Sequence, residues 1–368
     1  MGKKLKLGIV GCGGIANQKH FPAIDQLGEL CKIVAFCDII EDRAVKACKE
    51  HGAKGAKVFT DYKELTALPE VDVVYVLTPN VSHKPITISA FEAGKHVLCE
   101  KPMAATAKDA EEMVAAWKKS GKKFTVAYQN RFRTEVQVLK KACAAGELGD
   151  IYYAKAHAIR RRGVPTWGVF PNKALQGGGP LIDIGTHALD MTLWMMDNYE
   201  PMSVSGSVFH KLGHLPQATG GNVFGPWDPE TFEVEDSAFG MIKMKNGAVI
   251  NIEASWAINM LESREQSTTL CGTLAGAEFI SGMSHTSDSL IINRGYNGVL
   301  CEETISPGGR VAYFEGLGSE PGLLEAHQWL KAIIDDTNPL VMPEQALTVT
   351  RILDMIYQSA ETGKEIVC

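Results

Sequence analysis

The stretch Leu5-Lys6-Leu7-Gly8-Ile9-Val10-Gly11-Cys12-Gly13-Gly14-Ile15-Ala16 reads as a short apolar strand that runs straight into a glycine turn and a helix start. Its pattern is G-x-G-x-x-A, and each small residue has its own task. Gly11 permits the tight turn, Gly13 lets a pyrophosphate come close to the backbone, and Ala16 lets the helix lie flat on the strand. Gly14 and Ile15 complete the turn, where the helix N-terminus offers N–H groups and a positive dipole to an anion. Glycine turns also occur for purely structural reasons, so the next strand carries weight. It ends in Phe36-Cys37-Asp38, placing Asp38 where a carboxylate accepts hydrogen bonds from the adenosine ribose hydroxyls and repels a 2′-phosphate. NAD is therefore favoured over NADP, although Arg43 lies close in sequence. The plainer alternative is that Asp38 only caps the following helix.

Outward from this turn, residues 1–127 alternate short β-branched runs with helical patterns, the signature of βαβ units around a parallel sheet. Strands are expected over 5–10, 33–37, 71–77, 96–99 and 124–127, with a weaker one near Val58. Helices are expected after Asp61, after Ser82 and after Thr106, three residues that suit an N-cap, and Pro22 should restart or kink the first helix. Past Arg131 the rhythm changes. A helix to about 145 and a strand over 151–159 lead to an irregular stretch, and a helix starts near Pro180. Antiparallel strands are expected over 201–209, 233–243, 248–257, 267–270, 277–280 and 289–293, then helices over 322–335 and 343–362. The expected fold is α/β: an N-terminal Rossmann domain over 1–127, and an α+β domain over 128–368 with a large, open, mainly antiparallel sheet. The segment 212–231, rich in Gly, Pro and Asn, reads as a functional or mobile loop.

Composition narrows the partners. With 45% hydrophobic and 22% charged residues the chain suits a soluble globular protein, and a formal charge of -6 argues against a nucleic-acid surface. The basic N-terminus lacks a signal-peptide core and no apolar run is long enough to span a bilayer, so neither membrane nor secretion is expected. Nine cysteines without a C-x-x-C pair read as reduced and cytoplasmic. Cys12 reads as a small space-filling residue more readily than as a reactive thiol.

Two constellations carry chemistry. Glu100-Lys101-Pro102 ends the fifth strand at the carboxyl edge of the sheet, where ligands of open α/β folds bind, and a lysine fixed there by a rigid proline is a candidate functional group. In Gly177-Gly178-Gly179-Pro180-Leu181-Ile182-Asp183-Ile184-Gly185-Thr186-His187, a helix from Pro180 sets Asp183 and His187 at i and i+4 on one face. They could share a substrate hydroxyl, or serve only as a helix-stabilising pair. A metal reading is weaker for want of a further ligand at fixed spacing, and no metal is assigned.

Taken together, the glycine turn, Thr78-Pro79-Asn80 with His83, Glu100-Lys101-Pro102, and the glycine-rich helix start with Asp183 and His187 resemble the Gfo/Idh/MocA oxidoreductase family along essentially the whole chain. The resemblance implies NAD-dependent oxidation of a ring hydroxyl of a sugar, glycoside or cyclic polyol to a ketone. It places Thr78, Asn80, His83 and Gln129 at the cofactor, Glu100 on its ribose, and Lys101, Asp183 and His187 around the substrate hydroxyl as the catalytic group, with Lys101 also touching the cofactor. Whether Lys101 or His187 is the base stays open. Arg160 is expected at the substrate, and Trp167 either packs on the cofactor or anchors its loop. The run through Trp167, Asn172 and the triple glycine looks most like glucoside 3-dehydrogenases, with inositol dehydrogenases close behind. The resemblance further implies a homodimer or homotetramer formed through the C-terminal sheet. Two alternatives share the fold: a redox-neutral NAD-dependent glycosidase, and an NAD-binding regulatory protein without turnover.

Overall fold

A computed structural model describes residues 4–281, 288–305 and 320–368. The chain divides into two compact units, Met1–Phe132 with Phe314–Leu347 and Arg133–Tyr313 with Thr348–Cys368. The boundary expected at 127/128 thus falls at 132/133, and a C-terminal stretch returns to the first unit. Apolar side chains explain that return: Leu323, Ala326, Trp329 and Leu330 join the same core as Leu7, Ile9, Phe21, Phe36 and Leu98.

The first unit is a six-stranded parallel sheet of β1 (Leu5–Val10), β2 (Cys31–Cys37), β3 (Gly52–Phe59), β4 (Val73–Val76), β5 (His96–Cys99) and β6 (Phe124–Val126). The strand order 3-2-1-4-5-6 is that of a doubly wound nucleotide-binding sheet. Its helices are α1 (Phe21–Gln26), α2 (Glu41–His51), α3 (Tyr62–Thr66), α4 (His83–Glu92) and α5 (Ala107–Ser120). Asp61 and Thr106 cap α3 and α5 as expected, accepting from the Lys63 and Asp109 N–H groups. Ser82 makes no side-chain cap, because a 3-10 turn at Asn80–Ser82 already leads into α4. Pro22 does restart the first helix: a π-helical turn, Ala16–His20, gives way to α1 with Pro22 in its first turn. β3, weak in sequence because Gly and Ala fill half of it, is held at the sheet edge by its ladder to β2.

The second unit begins with α6 (Thr134–Ala144), β7 (Ile151–Ile159), α7 (Lys173–Gln176), a π-helical turn at Leu181–Gly185 and α8 (Thr186–Met196). Then come β8 (Pro201–Phe209), β9 (Ser237–Met244), β10 (Val249–Ser255), β11 (Arg264–Gly272), β12 (Ala275–Ile280), β13 (Ser289–Tyr296) and β14 (Val299–Ile305). α9 (Pro321–Ile334) belongs to the first unit, most of α10 (Pro343–Thr362) belongs to the second, and β15 (Ile366–Val367) pairs with β8. Nine strands form one sheet, antiparallel except where β10 runs parallel to β7. Alternation decides its faces. Ala154, Ala156, Ala158, Ile250, Ile252 and Leu270 are buried on one side, and α8 packs on β7 and β11. Tyr153, Lys155, Asn251 and Glu253 on the other side are half-buried.

All nine cysteines are free, and Cys12, Cys31 and Cys37 lie buried. Burial pushes the Cys12 thiol up to about 12, with the Asp38 carboxylate adding to the effect, so at neutral pH it is an inert space-filler. Timed alkylation with iodoacetamide should therefore modify the exposed Cys301 and Cys368 first and Cys12 among the last. Labelling of Cys12 at the rate of Cys368 would contradict this assignment.

Candidate functional site

In the first unit, β1 delivers the chain into the turn at Gly11, whose φ of +96° suits glycine and whose Cβ would lie 2.5 Å from the Leu77 carbonyl oxygen. A Cβ on Gly13 would meet nothing within 4 Å, so open space lies over the turn where a pyrophosphate would approach. Asn17, which the sequence reading missed, braces the turn by donating from Nδ2 to the Cys12 and Gly13 carbonyls at 3.0 and 2.6 Å. Asp38 stands at the end of β2 as expected. Its two carboxylate oxygens accept from the Cys12 N–H at 2.8 Å and the Ile40 N–H at 2.9 Å, so the same side chain shapes the turn and leads into α2. Asp38 does not cap α2, whose N-cap is Ile40 without a side-chain cap bond, and each of its oxygens keeps a lone pair for a ribose hydroxyl. Asp38→Ala should lower the preference for NAD over NADP by about 10- to 100-fold, the worth of a charge-assisted hydrogen bond. Comparing KM for the two cofactors checks this, and an unchanged ratio would refute it.

At the carboxyl ends of β4 and β5 the remaining expected residues gather. Thr78 and the buried Asn80 follow β4, and Glu100-Lys101-Pro102 follows β5. His83 is fully buried between the two loops. Its Nδ1 lies 2.8 Å from the Pro102 carbonyl oxygen and its Nε2 2.9 Å from that of Thr78, so the ring clamps one loop to the other. Burial lowers its pKa despite those carbonyls, and a neutral ring donates to one of them at a time.

Glu100 sits in a network that the sequence did not disclose. Its Oε1 accepts from Lys19 Nζ and pairs with His20 Nε2, both at 2.8 Å, while its Oε2 accepts the Lys101 N–H at 3.0 Å. Burial raises the Glu100 pKa, but the Lys19 cation and the His20 contact outweigh it and hold the carboxyl well below the usual range. Lys19 also reaches Glu325 Oε2 at 2.8 Å and Gln129 Oε1 at 3.3 Å. Gln129, expected at the cofactor, is thereby tied to the same cation. A lysine in a polar helical turn is usually solvated, and Glu325 lies more than two hundred residues away, so neither could be linked to Glu100 from the sequence.

The second unit carries Asp183 and His187, both buried. The helix expected from Pro180 begins as the π-helical turn Leu181–Gly185, and α8 takes over at Thr186. Glu235 anchors that turn, since its carboxylate accepts the Gly179 N–H at 2.9 Å, the Leu181 N–H at 3.2 Å and the Tyr357 hydroxyl at 2.8 Å. The glycines are needed for this approach. A Cβ on Gly178 would fall 2.1 Å from Tyr357 Oη, and one on Gly179 would fall 2.3 Å from the Glu235 carbonyl oxygen. Asp183 Oδ2 accepts from Trp256 Nε1 at 3.2 Å.

Arg160 and Trp167 each have partners within the second unit. The Arg160 guanidinium makes a two-pronged pair with Glu265, at 2.7 and 2.5 Å, and donates to the Gly163 carbonyl. Trp167 is half-exposed and packs edge-on to Phe224 at 4.7 Å between centroids, which supports the loop-anchor reading. Among the described residues no helix is long and apolar enough to cross a membrane, and no cluster of three or more His, Cys, Asp or Glu side chains is gathered to hold a metal.

Comparison with known proteins matches two family models. One, described as an oxidoreductase family with an NAD-binding Rossmann fold, covers residues 5–128; the other, its C-terminal alpha/beta domain, covers 140–368. D-glucoside 3-dehydrogenase of Escherichia coli (strain K12) is 36% identical over 98% of this chain and 97% of its own length. Levoglucosan dehydrogenase of Pseudarthrobacter phenanthrenivorans is 26% identical, covering 97% of this chain and 96% of its own. In fold, the chain matches the crystal structure of aldose-aldose oxidoreductase from Caulobacter crescentus complexed with glycerol, with TM-score 0.81, 24% identity and full coverage of both chains. With a 3-2-1-4-5-6 sheet behind a G-x-G-x-x-A turn, and with both family models matched in sequence, this chain belongs to the Gfo/Idh/MocA family of NAD-binding oxidoreductases.

Proposed function

We propose that this chain oxidises a ring hydroxyl of a sugar, glycoside or cyclic polyol to a ketone, with C3 of a glucoside as the first candidate. The observation that carries the substrate class is the 36% identity to D-glucoside 3-dehydrogenase along nearly the whole of both chains. The turn from Gly11 to Ala16 would hold the pyrophosphate, Asp38 the adenosine ribose, and Thr78, Asn80, Glu100 and Gln129 the nicotinamide half, with His83 beside them fixing the loops that carry Thr78, Asn80 and Glu100. When bound, NAD supplies the acceptor for the hydride that leaves the carbinol carbon.

The protein's own share is proton handling and orientation. Either Lys101 or His187 takes the hydroxyl proton while the C–H electron pair departs as hydride, leaving a C=O bond. Asp183, steadied by Trp256, orients the hydroxyl. Arg160 acts through its charge, which lies close enough to Asp183 to be felt there, because its fork is occupied by Glu265.

Absorbance at 340 nm with added NAD and a panel of glucosides, free aldoses and myo-inositol tests the reading. NADH formed from a glucoside supports it and names the class; NADH formed only from myo-inositol moves the substrate to cyclic polyols. Bound NAD with no net NADH from any of them would overturn it in favour of redox-neutral or regulatory use.

We further propose cytoplasmic residence, in keeping with nine unpaired thiols, and a homodimer or homotetramer built on the half-buried face of the nine-stranded sheet. A monomer mass by light scattering would rule out the assembly.

A further inference from the structure

We propose that Lys19 and Glu325 are positioning residues for Glu100 and the Lys101 backbone, with Glu325 acting as a proton-dependent competitor for the Lys19 cation. The inference rests on the reading of Glu100 as a cofactor contact. Three elements meet in this cluster: the π-helical turn after the glycine loop brings Lys19 and His20, the end of β5 brings Glu100, and α9 brings Glu325. One ammonium group lies 2.8 Å from an oxygen of each carboxylate. The Lys19, Glu100 and Glu325 side chains are 10%, 5% and 4% exposed, so their charges are poorly screened by water.

Two buried carboxylates facing one buried cation leave a net negative charge if both ionise. Burial pushes Glu325 up to about 7, partly offset by Lys19 and reinforced by Glu100. Its Oε1 has no hydrogen-bond partner among the described residues, while both Glu100 oxygens face donors, Lys19 and His20 at Oε1 and the Lys101 N–H at Oε2, so Glu325 is the member that takes the proton. The other groups around it do not supply a second cation. His20 is kept neutral by burial beside Lys19, and Tyr75 on β4 is held in its phenol form by burial. Glu320, at the N-cap of α9, adds negative charge. Arg131, on the 3-10 turn packed against α9, donates to the Leu340 carbonyl and to Gln345, and Asp25 on α1 pairs with His51.

With Glu325 protonated, Lys19 serves Glu100 alone. With Glu325 ionised, the cation is divided, and Glu100 is held less firmly against the Lys101 N–H. Affinity for NADH should therefore fall about threefold to tenfold as pH rises through about 7.

The test is NADH binding to the full chain, followed by fluorescence from about pH 6 to about pH 8.5, a window that brackets this titration. Glu325→Gln, whose carboxamide cannot ionise, should flatten the profile. Lys19→Met should weaken binding at least about tenfold at every pH, and adding Glu325→Gln should change it little, because without the cation the buried Glu325 keeps its proton across this window. Lys19→Arg, with thermal melts of each variant, separates loss of the cation from loss of the fold. A Glu325→Gln profile that keeps the original slope, or a folded Lys19→Met that binds NADH as the unaltered chain does, overturns the inference alone. No NADH binding by the unaltered chain at any pH overturns the cofactor assignment as well.

Discussion

Replacing Lys101 with Met should lower kcat on the best substrate by about 10²- to 10⁴-fold, the usual contribution of a positioned acid–base group. The substitution is chosen for what it leaves alone. Lys101 is held through its backbone, whose N–H donates to Glu100 Oε2 at 3.0 Å, so a side chain of similar length keeps the chain path and the Glu100 network. NADH affinity should then change far less than turnover. Steady-state kinetics beside a fluorescence titration make the comparison, and a kcat within tenfold of the original would remove Lys101 from the reaction. The same assay decides its relation to His187. If Lys101 is the base, Lys101→Met loses the acidic limb of the pH–kcat profile, where a base is protonated, and His187→Ala acts mainly through KM; the reverse split assigns the base to His187.

How much of this could be read in advance follows the range of the physics involved. Local rules fixed the glycine turn, the carboxylate at the end of β2, and the caps at Asp61 and Thr106, because each depends on residues a few positions apart. The parallel first sheet followed from the same alternation. The strand expected over 233–243 began only at Ser237, because Glu235 and Asp236 are occupied with turning carboxylates toward backbone N–H groups. β11 starts earlier than expected, at Arg264, since the left-handed Gln266, φ +52°, puts a bulge in its ladder and breaks the period. The hairpin into β14 is not evident from the sequence although Asn297-Gly298 marks it, both residues at positive φ, because the strand beyond is exposed and its apolar residues do not alternate with polar ones. Contacts across long sequence separations were out of reach: Lys19 with Glu325, Arg160 with Glu265, and Glu235 with Tyr357 join residues whose separate contexts predict solvated or ordinary core positions.

The last of those pairs carries the second large effect. Glu235→Ala should cost about 3–5 kcal/mol of stability in the second unit, since it strands three buried donors, each worth about 1–3 kcal/mol when left without an acceptor, and partial relaxation returns some of that sum. The donors are the Gly179 and Leu181 N–H groups and the Tyr357 hydroxyl. Tyr357→Phe removes one donor along with its bond, so its cost should stay near about 1 kcal/mol, and Glu235→Gln should fall between, because its amide N–H₂ must face donors. In a chain of two units a single unfolding midpoint is a poor readout, so amide hydrogen exchange in the turn is the better one. The Asp183 N–H, bonded to the Gly179 carbonyl at 3.0 Å, should lose protection in Glu235→Ala and keep it in Tyr357→Phe. Turnover should follow the same order, because the π-helical turn that Glu235 anchors is the one that presents Asp183 and leads into His187. Equal protection in all three variants would show that the turn stands on its packing alone, and that the buried carboxylate at its start does not position the residues proposed to act on the substrate.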